Sequence, residues 1–394
     1  MSIPIGTLEE HGFLDIAVNS SLSNICYIIP HTRQIAHLGR EQTISGDVWR
    51  FLDRSLQHNG KHIGWHMLEL FKEGTYGKIY KAYRMIVARR PDGLFDVEEE
   101  PHDVIVKQTQ PAADAVIVAK EEVAAHIAEA FLHVLAWRVM SATATPWAVP
   151  RPYEVYGDYS QAAGGWKSMS LCMAYVRGRT LQNFIEKYWS RDSKATASRS
   201  FLEMMAQIAY ILHVLQRDLR LNHRDVKVNN VMIRRRPSVI TLTIGEESIA
   251  TNYQMTLIDF GFACVGCPPP REPMTTFQAG SWFPMGEICC KDGRDLAQLL
   301  YCIHCYFPLN EFLTPAVYEE VKGWLQIPWS GGVADGFHGF VKEGRPRAAG
   351  AAGVAEYNTG IYEFLRRPEV DPARCEPATV FKECCRLMAK LLEP

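Results

Sequence analysis

No stretch of this chain approaches the ~20 consecutive apolar residues that a bilayer-spanning helix requires, which argues against an integral membrane protein. Met1 to Ile28 also lacks the unbroken apolar core of a secretory signal, because Glu9, Glu10, His11 and Asp15 interrupt it. Neither end carries a lipidation pattern. The expected setting is therefore cytosol or nucleus, with no membrane partner. Charge of one sign is lacking too. The net charge is only −2, so no global basic field points to nucleic acid as a partner. The basic run Arg234-Arg235-Arg236 reads as a solvated face. No internal repeat occurs, which excludes solenoids and propellers.

What is present is ordinary for a folded, soluble protein. The chain has 394 residues, 47% of them hydrophobic and 22% charged, enough for one large enzyme or two modest domains. Its 11 cysteines stand in a long chain without a secretory signal, so free thiols are expected rather than a disulfide framework. Two C-x-x-C pairs, Cys264/Cys267 and Cys302/Cys305, flank Cys289-Cys290, and together they could suggest zinc. Cys302 and Cys305 lie in a strongly apolar run, however, where small soft core residues are the simpler reading.

The coarse pattern mixes strands and helices. Residues 68–82 read as strand, glycine turn and strand, and residues 90–103 as an exposed loop. Val104-Ile105-Val106-Lys107 is a short β-branched strand. Residues 114–140 suit a helix, and 153–156 and 169–175 two more strands. Phe201, Met204, Met205, Ile208, Ile211, Leu212 and Leu215 recur at helical spacing and predict a long buried helix. Residues 237–254 alternate about a turn at Gly245, which predicts a hairpin. A further buried helix is expected over 293–307, and a flexible loop over Gly344–Gly353. Residues 1–60 carry no readable motif, and neither does the chain beyond about residue 310.

Two short strings carry the chemistry. His223-Arg224-Asp225-Val226-Lys227-Val228-Asn229-Asn230 supplies a carboxylate for a substrate hydroxyl, a cation for a migrating phosphoryl group and an amide for a metal. Leu257-Ile258-Asp259-Phe260-Gly261 supplies a second metal-binding carboxylate. Phosphoryl transfer needs a grip on phosphates, one or two Mg²⁺ ions, an oriented nucleophile and charge stabilisation. In their order and spacing, the two strings resemble the catalytic core of eukaryotic-type protein kinases.

The resemblance covers roughly residues 65–310 and implies an α+β, bilobal protein-kinase-like fold. A small antiparallel β-sheet lobe with one main helix would be joined by a hinge to a larger, mostly helical lobe. Residues 1–60 would be an N-terminal extension, 61–176 the small lobe and hinge, and 177–394 the large lobe with an inserted hairpin at about 237–254. Lys72, Gly74, Thr75, Tyr76 and Gly77 would form the loop over the phosphates of ATP, with Lys72 in place of its first glycine. Ile79 would cover the adenine and Ala82 would line its pocket. Lys107 would hold the α- and β-phosphates and pair with a helix glutamate, Glu129 in preference to Glu122 or Glu121. Met173 would back the nucleotide pocket, and backbone groups of Ala174 and Val176 would bind the adenine edge. Asp225 would be the catalytic base and Lys227 the stabiliser of the transferring group. Asn230 and Asp259 would be the Mg²⁺ ligands.

The resemblance further implies protein substrates phosphorylated on Ser or Thr, because Lys227 follows the pattern of Ser/Thr rather than Tyr kinases. Two other functions share these motifs: an ATP-binding pseudokinase scaffold and a small-molecule kinase of the same fold. The segment after Gly261 departs from the family, with Pro268-Pro269-Pro270 and no Ala-Pro-Glu. Ser281 and Glu287 would be shortened counterparts of the missing residues. Asp295 would brace the loop around Asp225. Arg224 would hold a phosphate on Thr275, Thr276 or Ser281.

Overall fold

The structure, a computed structural model, describes residues 49–51, 62–74, 77–89, 95–111, 115–160, 163, 165–266, 276–278, 289–325 and 372–392. It is an α+β arrangement of antiparallel sheets and helices. Thr75, Tyr76, Thr275, Ser281, Glu287 and the loop 344–353 lie outside these residues, and so do the side chains of Lys72 and Thr276.

The first part of the chain builds one six-stranded sheet in the order β1-β2-β3-β4-β6-β5. Its strands are β1 (Trp49–Phe51), β2 (His62–Gly74), β3 (Gly77–Arg89), β4 (Phe95–Thr109), β5 (Pro152–Ser160) and β6 (Gly165–Ala174). Every pairing is antiparallel. β4 shows why the sequence forms strand here. Val104 and Val106 are fully buried, while Ile105 and Lys107 share the other, half-buried face. That is the period of two that a pleated strand imposes.

The expected loop at 90–103 is corrected. Residues 95–103 continue β4, with Arg84 opposite Glu100 and Ile86 opposite Glu98. The register shifts between Tyr83, opposite Asp103, and Arg84, which leaves Pro101 and His102 out of the pairing. A proline has no N–H for the ladder, and an irregularity at that place lets the strand run past it. Composition suggested a loop, but cross-strand pairing with β3 overrides it.

Helix α1 (Lys120–Ser141) packs on β5 and β6, starting six residues later than its composition suggested. The strand β7 (Arg179–Thr180) leads into α2 (Leu181–Tyr188) and then α3 (Lys194–Leu219). The seven apolar residues that predicted a helix in α3 are all buried. Ser193 caps its start by accepting from Thr196 N–H at 3.2 Å, and Arg220 ends it in the left-handed region at φ 49°. After α3 come β8 (Leu221–Asn222) and the hairpin β9 (Val231–Ile244) with β10 (Glu247–Leu257), which turns at Gly245 as expected. Both strands extend further toward the two motif strings than alternation alone indicated. β11 (Cys264–Gly266) pairs with β8 and with β12 (Thr276–Gln278).

Helix α4 (Arg294–Tyr306) occupies the expected buried position. Beyond residue 310, where the sequence offered no pattern, the chain continues in helices. α5 (Leu309–Phe312) and α6 (Pro315–Leu325) follow α4, and α7 (Pro377–Leu392) packs along α3 and against β10. Phe381 of α7 is fully buried, with its ring 6.5 Å from that of Tyr210 in α3. The C-terminal helix therefore closes the core around α3.

The expectation of free thiols is corrected at one place. Cys264 and Cys289 form a disulfide, 25 residues apart in sequence. β11 brings Cys264 beside the start of the stretch leading to α4, a proximity that the spacing of C-x-x-C pairs does not encode. Cys172, Cys290, Cys302, Cys375, Cys384 and Cys385 form no disulfide, and Cys302 is buried in α4 as expected of a small core residue.

Truncating Phe381 to alanine is expected to lower unfolding stability by about 3–5 kcal/mol, the usual cost of emptying a buried aromatic site. Val239→Ala, at a position 64% exposed, is expected to stay within ~0.5 kcal/mol of wild type. Urea midpoints of the two variants check both. Equal midpoints would mean that α7 is not part of the core.

Candidate active site

Three distant segments meet at one ammonium group. Lys107 on β4 donates to Glu129 Oε1 of α1 at 2.7 Å and to Asp259 Oδ1 at 2.8 Å. The geometry thus selects Glu129 among the three glutamates. Glu122 is exposed, and the side chain of Glu121 lies outside the described residues. Glu129 is almost wholly enclosed, whereas Asp259 is 41% exposed and still faces the solvent side of the site. Burial opposes the charge on Lys107, but the Asp259 and Glu129 carboxylates outweigh it and raise the ammonium above its ordinary value. Burial also opposes the charge on Asp259, yet Lys107 beside it holds that carboxyl below the usual range. Glu129 goes the other way: burial raises its carboxyl despite Lys107.

A second cluster follows β8. Asp225 Oδ2 accepts from Lys227 Nζ at 2.8 Å and from Asn230 Nδ2 at 2.7 Å. Asn230 Nδ2 also lies 3.0 Å from the Asp225 carbonyl. Val226 and Val228 are buried between these polar residues and anchor the loop from below. Burial, chiefly, raises the Asp225 carboxyl, with Lys227 opposing and Asp259 adding to the rise. Ile258 N–H donates to the Asn230 carbonyl at 3.0 Å, which ties the residue before Asp259 to the loop of Asp225 and Asn230.

Asp295 at the start of α4 shapes the loop. Its carboxylate is fully buried and accepts from His223 N–H at 2.9 Å and from Arg224 N–H at 2.8 Å. Asn222 Nδ2 donates to the same carboxylate at 3.2 Å and to the Lys291 carbonyl at 3.1 Å. These bonds hold Arg224 at φ 63°, and Asp259 sits at φ 69°. Left-handed backbone costs an L-residue about 1–2 kcal/mol, so both turns depend on such surroundings.

The ring of Phe260 is fully buried between His133, at 5.2 Å, and His223, at 4.7 Å. His223 Nε2 donates to the Ile258 carbonyl at 3.2 Å, while its Nδ1 faces Asp225 N–H at 3.4 Å. One ring nitrogen donates and the other accepts, which fixes a neutral imidazole. Burial lowers the basicity of both histidines, that of His133 to about 4. This stack fixes the residue next to Asp259 and hence the direction of its carboxylate.

The glycine turn stands at the edge of the same site. A Cβ on Gly77, at φ 138°, would lie 2.2 Å from the Gln108 carbonyl, so only glycine lets β3 approach β4 here. Gly74 pairs with Gly77, and Lys72 pairs with Ile79 through the backbone. Ile79 is half-buried opposite Lys107, on the site side. Ala82 is fully buried opposite Val104, inside the core. Met173 is buried near the end of β6, and Ala174 N–H is already taken by the Arg151 carbonyl at 2.8 Å. Val176 is half-buried just beyond.

Sequence reasoning missed Asn222, His133 and Ile105. His133 stands four residues after Glu129, on the same helix face. Ile105 stands two residues before Lys107, on the same strand face. Both were legible by period. Asn222 gave no signal beyond being a polar residue between two buried ones.

Among the described residues no group of three or more His, Cys, Asp or Glu could hold a metal by itself, and no helix is long and apolar enough to cross a membrane. No family model matches this chain, and no curated protein matches it either.

Lys107→Met leaves Glu129 enclosed without its cation. Removing one partner of a buried pair costs about 3–5 kcal/mol, and the lower end is expected here because Asp259 keeps access to water. A raised Glu129 carboxyl binds a proton as pH falls below its folded value, which relieves the unpaired charge. The loss should therefore be larger at pH 8 than at pH 5, as read by urea unfolding at the two values. An equal loss at both would overturn the assignment of Glu129 as the enclosed partner.

Proposed function

We propose that this chain is an ATP-dependent protein serine/threonine kinase with a bilobal kinase-like fold, the six-stranded sheet and α1 forming its small lobe. The observation that carries the reading is the convergence of Lys107, Glu129 and Asp259 beside Asp225, Lys227 and Asn230. The first group is arranged to grip phosphates, and the second to handle a hydroxyl and a migrating negative charge. Their order along the chain is that of the family it resembles.

In this reading Lys107, oriented by Glu129, holds the α- and β-phosphates. Gly74 and Gly77 let backbone N–H groups approach the phosphate oxygens. Ile79 and Met173 enclose the adenine, and the Ala174 carbonyl with the Val176 backbone meets its edge. Asp225 orients a substrate hydroxyl and takes its proton, and Lys227 offsets charge on the transferring group. Mg²⁺ fits the donor set, because it prefers one or two protein oxygens and completes its shell with phosphate and water. The Asp259 Oδ2 and Asn230 Oδ1 oxygens accept no hydrogen bond among the described residues and would hold it. When bound, the ion supplies neutralisation of the phosphate charge. The protein substrate is a hydroxyl-bearing Ser or Thr side chain.

The test is transfer of labelled γ-phosphate from ATP to a Ser/Thr peptide array, with and without Mg²⁺. Asp225→Asn is expected to cut the rate by about 10²–10⁴-fold, the usual span for a positioned general base. Asp259→Asn is expected to abolish the Mg²⁺-dependent transfer, and retained transfer would overturn the metal assignment. Because burial raises the Asp225 carboxyl above its ordinary value, the base form is lost as pH falls through that raised value. The rate should therefore climb with pH above it and then level. Nucleotide binding without transfer would favour a scaffold, and transfer to small alcohols but not peptides would favour a small-molecule kinase.

A further inference from the structure

We infer that the Cys264–Cys289 bond is a reversible redox clamp that holds Asp225 and Asp259 in register. The inference deepens the proposed function by naming a regulation of the same site. Cys264 lies five residues after Asp259, and its β11 position pairs with Asn222, immediately before His223-Arg224-Asp225. Cys289 lies six residues before Asp295, whose carboxylate shapes the Asp225 loop. The bond therefore joins the strand leaving one motif to the stretch that organises the other.

Non-covalent contacts run in parallel with it. Lys291 N–H donates to Asn222 Oδ1 at 2.6 Å, and Asn222 Nδ2 returns a bond to the Lys291 carbonyl. Asn222 thus touches both sides of the clamp, across from Cys264 and against the residues just after Cys289. Cutting the disulfide leaves β11 held by its short ladders to β8 and β12, with the Asn222–Lys291 bonds still tying β8 to the stretch after Cys289.

The rest of the sulfur chemistry points to regulation rather than scaffolding. Six other cysteines among the described residues form no disulfide, so these residues do not make a disulfide framework. The one bond among the described cysteines, set between two motif strings, is the pattern of a redox-responsive site. Cys290 is adjacent but does not exchange with the bond at neutral pH. Burial, with Asp295 and Asp292 nearby, pushes its thiol up to about 12, so it stays protonated. The electrons must come from an external dithiol. One thiolate of that dithiol attacks a sulfur of the pair, forming a mixed disulfide and releasing the other cysteine as a thiolate that takes a proton. The second thiol then displaces the remaining cysteine and closes the reductant's own disulfide, so two electrons and two protons pass to the protein. Both sulfurs are fully buried, so this attack waits until β11 lifts from β8.

The experiment equilibrates the full chain with mixtures of reduced and oxidised dithiothreitol, blocks free thiols and maps peptides by mass spectrometry. Amide exchange at 221–225 and 291–295 and labelled ATP transfer are read on the same samples. The cross-linked Cys264–Cys289 peptide is expected to vanish on reduction and return on oxidation. Exchange should speed up in the reduced form, and transfer should fall at least about 5-fold, the lower end of ordinary coupling between sites. Cys264→Ser and Cys289→Ser should behave as reduced protein at every mixture, whereas Cys290→Ser should keep the full response. A cross-link that never forms overturns the inference. So does one that forms and breaks without changing exchange, or without changing transfer where transfer occurs. Transfer absent from every sample would sink the kinase reading, while exchange alone would still decide whether the clamp exists.

Discussion

The site depends on one shared cation. Lys107 reaches Glu129, 22 residues away in sequence, and Asp259, 152 residues away, with a single ammonium group. Neither carboxylate could be brought to that place cheaply without it. Glu129 is enclosed in α1, where an unpaired charge carries a heavy desolvation cost, and Asp259 stands on left-handed backbone. The ammonium offsets both, so the sheet, the helix and the segment after the β9–β10 hairpin share one position or lose the pairing. Two acids placed around one base also make their occupancy sensitive to any further positive charge arriving nearby.

The second constraint is backbone rather than side-chain charge. Asp295 accepts two consecutive amide N–H groups, from His223 and Arg224, inside a site closed to water. Such charge-assisted bonds are stronger than neutral ones and specify a turn that no local propensity would choose. The His133–Phe260–His223 stack complements them by filling the space under Asp259. Both histidines are neutral there, so the stack packs as apolar surface while each ring still donates to a carbonyl, Pro150 for His133 and Ile258 for His223. Charge positions the reactive atoms, and apolar packing keeps water away from the bonds that position them.

These physical origins explain what the sequence disclosed. Elements governed by local period were legible: the helix carrying Phe201 to Leu215, the strand ending at Lys107 and the hairpin turning at Gly245. The site residues were legible where their chemistry is dense in sequence, as in Asp225, Lys227 and Asn230. Glu129 was legible only against Glu121 and Glu122, through the run Phe131–Leu135 that follows it, and its bond to Lys107 decides among the three. What failed depended on partners far along the chain. Residues 95–103 look like a loop by composition and become strand because β3 pairs with them. Cys264 meets Cys289 only because β11 lies against β8. Helix α7, beyond residue 310, owes its burial to α3 and β10, and its own sequence gives no hint of those partners.

The ends of the stretch between Cys264 and Cys289 are held by two kinds of bond with different sensitivities. The Asn222 contacts to Lys291 and Asp295 are hydrogen bonds in a buried setting, indifferent to redox state and weakened only if water enters. The disulfide is indifferent to water and broken only by electrons. If the disulfide were the sole anchor, reduction would release the strand beside the motif altogether. If the hydrogen bonds were the sole anchor, no redox signal could reach the site. With both in parallel, reduction shifts the balance of an otherwise intact arrangement, and a graded response is the physical consequence. The family resemblance fades along this same stretch, where Ala-Pro-Glu is missing. The disulfide and Asn222 both act on the stretches that adjoin the two motif strings.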